Sequence, residues 1–152
     1  MTRGVTHNMT VFLLAHGLLM LITAAMSFFL LSPLLAILPV LVSLYVVLGY
    51  RYLMPLSKNN FVPFIPLSIL LLGAALAAVQ SGQEMFSLLV NVPSILLLVL
   101  LENFIRPPEP YSPISPDVII GAAFIPSLLM YAGLRLKMWR ESKRRIEEGE
   151  RP

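Results

Sequence analysis

Long apolar runs separated by short polar breaks organise this chain. No charged residue occurs in 4–50, 59–83, 85–101 or 118–134. A bilayer core of about 30 Å takes roughly 20 apolar residues of helix, so these gaps are the size of membrane spans. The pattern predicts an all-α polytopic transmembrane bundle of about five spans in a single membrane domain, 1–152, with a basic C-terminal helical extension.

The breaks set the expected boundaries. The first span covers about 9–31 and ends at Ser32-Pro33, where proline lacks a donor and disfavours helix in the residue before it. The second covers about 34–53, with Pro39 as a kink and Tyr50, Arg51 and Tyr52 as interfacial anchors. The third, about 61–79, has Pro63 and Pro66 near its first turn, where a missing N–H costs little. The fourth, about 85–105, is interrupted by Asn91, Pro93 and Ser94, yet eleven of the fourteen residues from Leu88 to Leu101 are Leu, Ile or Val. Five prolines in 106–117 exclude regular helix and predict an extended surface loop. The fifth span, about 118–139, is expected to kink near Pro126 and to continue into a tail, 140–152, that is basic and then acidic.

Composition sharpens this picture. The chain is 57% hydrophobic and 12% charged, about half the charge of a soluble domain, with a mean hydropathy of +0.82. That excludes a water-soluble enzyme. The absence of cysteine removes disulfides, thiolate nucleophiles and cysteine-held metals. A net charge of +3 is no sign of nucleic acid, because seven of the eleven basic residues fall in the last 18 positions beside a span, where they meet anionic headgroups. A cleaved signal peptide at Thr23-Ala24-Ala25 fits less well than a retained first span, since the apolar run continues through Leu30.

Five crossings put the termini on opposite sides. The amino terminus and the loops at 51–60 and 103–117 would share four basic residues, Arg3, Arg51, Lys58 and Arg106, against seven on the tail's side. By that thin margin the positive-inside rule places the tail in the cytoplasm and the amino terminus outside, in a membrane of prokaryotic plasma-membrane type; if the fourth span is re-entrant or the first hairpin does not cross, both termini share a side and the early loops reverse. A sequon at Asn8-Met9-Thr10 fits an outside terminus but lies close to the bilayer.

Polar groups inside spans are the candidates for function, because burying them costs energy unless they are paired or wetted. At about 100° per residue, Met9, His16, Met20, Thr23 and Ser27 share one arc of the first span, which should face inward. His16 could hold a haem, copper or proton site, and Met20 shares its face, although the two axial ligands of one haem must come from different helices or another subunit; His16 could equally serve as a helix-interface histidine. His7 lies half a turn out of phase and no second intramembrane histidine exists, so a haem held by two histidines of one chain is excluded. No metal site and no catalytic set is legible, and no resident cofactor is expected.

Gly73 with Ala77, Ala74 with Ala78, and Ala123 with Ser127 have the small-xxx-small spacing that lets helices approach closely. They predict packing within the bundle, against another membrane subunit, or in a homo-oligomer. Asn91 and Glu102 are candidate transport groups, although Glu102 lies four residues from Arg106 on one helix face and is also explained as an interfacial carboxylate. Trp139 and Arg140 should mark the interface before the tail. The leading expectation is a non-catalytic integral subunit of a larger membrane complex, respiratory or transport in type, with lipids and other membrane subunits as partners. The alternatives are a homo-oligomeric transporter or channel, and a haem or quinone protein using His16.

Overall fold

The computed structural model describes residues 3–29, 34–56, 60–80 and 121–148. Among them the regular structure is all helical, with no strand: α1 (Arg3–Phe29), α2 (Leu34–Tyr52), a 3-10 turn (Val62–Phe64) that runs into α3 (Ile65–Gln80), and α4 (Ile125–Glu147). The expected fourth run at 85–105 and the proline-rich loop at 106–117 lie outside the described residues.

The local sequence explains how the helices begin. The first helix starts at Arg3, six residues before the apolar run at Met9. Thr10 supports that early turn by donating from Oγ1 to the Thr6 carbonyl at 3.0 Å. Pro63 sits in the 3-10 turn and Pro66 in the first turn of α3, where their missing donors cost little. Before α4, Gly121 and Ala122 are helical and Ala123-Phe124 form a turn. Pro126 is the second residue of the new helix, so the break falls just before the proline rather than at it. Pro39 lies inside α2.

Each helix turns one stripe inward. In α1 the buried residues are Asn8, Phe12, Ala15, His16, Leu19 and Thr23, the spacing of one helical face. From α2 come Leu41, Tyr45 and Gly49, four residues apart, and from α4 Met130 and Leu134. The ring of Phe64 meets Phe12 edge-on at 5.3 Å, and Phe61 meets Tyr131 in the same way at 5.3 Å. These aromatic contacts tie the turn before α3 to α1 on one side and to α4 on the other.

The outer faces are apolar. Leu13, Leu14, Leu18 and Leu21 of α1 are all more than half exposed, as are Val40 and Val47 of α2, Ile69 and Leu70 of α3, and Leu128 of α4. Among the described residues one stretch, Arg3–Thr23, is long and apolar enough to cross a bilayer by length and composition, while Pro39–Tyr52 and Val62–Ala74 are apolar but shorter.

Pairwise contacts fix the helix directions. Asn8 meets Met54 and His16 meets Tyr45, so α1 and α2 are antiparallel. Phe61 and Phe64 meet Tyr131, and Ser68 meets Ser127, so α3 and α4 are antiparallel. Lys137 reaches Leu53 and Arg140 reaches Tyr50, which brings the basic end of α4 to the same end as the start of α1 and the end of α2. The start of α1 and the basic part of α4 therefore lie at one end of the described helices, and Arg140 bonds the neighbour of Arg51.

Candidate functional site

Few polar groups enter the packed interior, and each described one is joined to something. His16 is 5% exposed, and its Nδ1 and the Tyr45 hydroxyl are hydrogen-bonded at 2.9 Å. The Phe12 ring lies 6.3 Å from the His16 ring, centroid to centroid. One α-helical turn of α1 therefore places an imidazole beside a phenol supplied by α2, with an aromatic wall above it. Below, the Thr23 hydroxyl turns back onto its own helix and donates to the Leu19 carbonyl at 2.6 Å.

A second polar contact joins α3 to α4. The hydroxyls of Ser68 and Ser127 are 2.6 Å apart and both are buried. A serine pair of this kind satisfies both groups at a place where neither water nor a charged residue is available.

The third set gathers where α2 ends. The Asn8 side chain clasps Met54 at two points: its Nδ2 donates to the Met54 carbonyl at 2.8 Å, and its Oδ1 accepts from the Met54 N–H at 2.9 Å. His7 Nε2 lies 3.2 Å from the Tyr52 carbonyl. Lys137 Nζ donates to the Leu53 carbonyl at 3.0 Å. The last carbonyls of α2 have no partner within the helix, and here a histidine, an amide and an ammonium supply donors to the chain that leaves it. A lysine is well suited to the task, because its cation also meets the negative end of the α2 dipole. Further out, Arg140 Nη1 donates to the Tyr50 hydroxyl at 3.2 Å, and the Leu56 N–H donates to Asn60 Oδ1 at 2.6 Å.

The sequence-derived candidates fall as follows. His16 is in the core and Met20 is half-buried on the same helix. Ala123 and Ser127 are buried. Gly73 and Ala77 are exposed and Ala74 is half-buried; a Cβ added at Gly73 would meet nothing within 4 Å. Ala78 belongs to the same helix, α3. Tyr50 is half-buried, while Arg51, Tyr52, Trp139 and Arg140 are exposed. Asn91 and Glu102 lie outside the described residues.

Sequence reasoning missed Tyr45, Ser68, Lys137 and the glycine pair Gly49 and Gly133, and it read Asn8 only as part of a sequon. Tyr45 carried a signal that could have been used. It is a hydroxyl-bearing side chain in the middle of an apolar run, and a buried phenol needs a partner.

Among the described residues no group of three or more His, Asp or Glu side chains is placed to hold a metal ion. The described clefts are shallow. One lies on the outer face of α2 along Pro39, Ser43 and Val47, and the other on the tail between Trp139 and Glu147. No protein-family model matches the chain, and no curated protein or solved structure is similar to it.

Proposed function

We propose that this chain is a multi-pass integral membrane protein and acts as a non-catalytic packing subunit of a larger membrane assembly, respiratory or transport in type. The observation that carries the reading is the polarity of the fold. His16, Ser68, Ser127 and Asn8 are buried and each hydrogen-bonds a group from a different segment of the chain, while leucines such as Leu14 and Leu21, each 64% exposed, form the outer surface. Single exposed leucines are ordinary on soluble proteins, but stripes of them on each of several helices call for a partner surface or lipid. In lipid the arrangement is the favourable one, because apolar side chains face hydrocarbon and each polar group is satisfied inside.

The assignment to a packing role follows from what the polar groups do. Apart from Thr23, which bonds back onto its own helix, these interior hydroxyl, amide and imidazole groups serve contacts between segments, and the open small-residue face at Gly73 and Ala77 offers a place for another membrane helix to approach.

The test begins with alkaline carbonate washing of membranes that contain the expressed chain, followed by mass measurement of the assembly purified in mild detergent. Retention in the membrane together with foreign subunits at fixed stoichiometry supports the reading. A pure homo-oligomer that passes solute in liposomes would replace it with the transporter reading, and release by carbonate would remove the membrane assignment altogether.

A further inference from the structure

We infer that the chain inserts with both termini on the cytoplasmic side, the charged end of its described helices seated among the anionic headgroups of that leaflet. The inference rests on the membrane reading above.

Two observations carry it. The first is the convergence of the charges. The contacts of Asn8 with Met54, Lys137 with Leu53 and Arg140 with Tyr50 bring the start of α1, the end of α2 and the basic part of α4 to one end. Arg3 and Arg51 are exposed there, and α4 continues outward with Lys143, Arg144 and Arg145, all exposed. The opposite end is built from the end of α1, the start of α2, the end of α3 and the start of α4, and carries no charged residue among the described ones. The second observation is aromatic. Tyr52 and Trp139 are exposed and Tyr50 is half-buried at the charged end, where rings with one apolar and one polar edge settle at headgroup level. Apolar helix faces, then a band of Tyr and Trp, then arginine and lysine follow the layers of one membrane leaflet in order.

The consequence for topology is a matter of parity. Gln80 and Gly121 both lie toward the uncharged end, because α3 runs away from the charged end and α4 runs back to it. With the start of α1 and the basic part of α4 at one end, the described helices enter and leave the membrane on the same face. Arg3 and Arg51, which the loop count set against the tail, then join Arg140, Lys143, Arg144 and Arg145 on one face, and the positive-inside rule assigns that face to the cytoplasm. Anionic lipid on that leaflet adds attraction for each basic residue near the surface. An acidic protein would also attract the basic end, but the flanking Trp and Tyr belt and the continuous apolar surface below it fit a lipid leaflet.

The absence of cysteine makes the test direct. Single variants Thr6→Cys, Ser142→Cys and Gln80→Cys place one thiol each at exposed positions, the first two at the charged end and the third at the other. After carbonate washing has shown that the chain is retained, a membrane-impermeant maleimide is applied to spheroplasts and to inside-out vesicles. The expected result is that T6C and S142C react only in inside-out vesicles and Q80C only in spheroplasts. Reaction of T6C and S142C from opposite faces, or of both from the outside, overturns the inference while leaving the membrane reading intact. A second measurement tests the headgroups. In uncharged detergent, phosphatidylglycerol should raise the unfolding temperature by several degrees more than phosphatidylcholine does, and Arg3→Gln with Arg51→Gln should shrink that difference. Equal shifts from the two lipids overturn the anionic-headgroup assignment.

Discussion

Gly49 and Gly133 face each other across the crossing of α2 and α4, so that each helix backbone occupies the place where the other residue's side chain would begin. A Cβ on Gly49 would lie 2.8 Å from Met130 Cα and closer still to the Met130 carbonyl oxygen; one on Gly133 would lie 2.8 Å from the Tyr50 nitrogen and closer still to the Val46 carbonyl oxygen. Main-chain atoms cannot rotate aside as a side chain can. Without a hydrophobic driving force between helices in lipid, such close approach is a main source of packing energy. We expect Gly49→Ala and Gly133→Ala each to lower stability by about 1–3 kcal/mol, toward the upper figure because backbone must move. Gly73→Ala meets open space and should be neutral or stabilising by up to about 1 kcal/mol through helix propensity. Unfolding in detergent followed by circular dichroism separates the two classes, and equal effects at all three sites would remove the crossing from the account.

The helical class was legible because the apolar runs are long and broken by proline; of the arc of α1 expected to face inward, His16 and Thr23 are buried and Met9 and Met20 are half-buried, because the buried face is centred on Phe12, Ala15 and Leu19. The partners were not. His16 and Tyr45 are 29 positions apart, and nothing along the chain joins them. The search for small residues looked for pairs four apart on one helix, whereas the α2–α4 crossing uses one glycine from each of two helices, each lacking a small neighbour at that spacing. Which helix ends lie together was not legible for a related reason. A count of apolar runs carries no information on which helix ends touch, and the contact of Lys137 with the Leu53 carbonyl decides it.

Ser68 and Ser127 supply the contact most suited to a double-mutant cycle. Each hydroxyl is small, each is buried, and alanine fills nearly the same volume. Interhelical hydrogen bonds inside membrane proteins average about 0.6 kcal/mol and reach about 1.7 kcal/mol. The coupling between Ser68→Ala and Ser127→Ala should fall in that range, since the serine left alone can still bond back to its own helix. Strictly additive losses would mean that the two hydroxyls do not stabilise one another.

Asn8 holds the backbone of Met54 by both its donor and its acceptor. Asn8→Ala removes both and leaves the Met54 N–H open to exchange. Hydrogen exchange at Met54 should quicken in this variant while amides in the middle of α2, around Tyr45, keep their protection, because the loss is local to the end of the helix. Uniformly faster exchange along α2 would show that Asn8 supports the whole helix pair instead.

His16 and Tyr45 make opposite expectations for a packing role and a cofactor role. Tyr45→Phe keeps the ring and removes only the hydroxyl that meets Nδ1. If the pair joins α1 to α2, this variant should lose about 0.6–1.7 kcal/mol of stability. The same substitution in a His16→Ala background should then lose almost nothing, because the partner is already gone. If His16 instead serves a haem, the purified protein should show a Soret band that disappears in His16→Ala. A spectrum without that band, together with coupled losses in the two backgrounds, assigns the histidine to helix packing; the band, or independent losses, would return it to the cofactor reading.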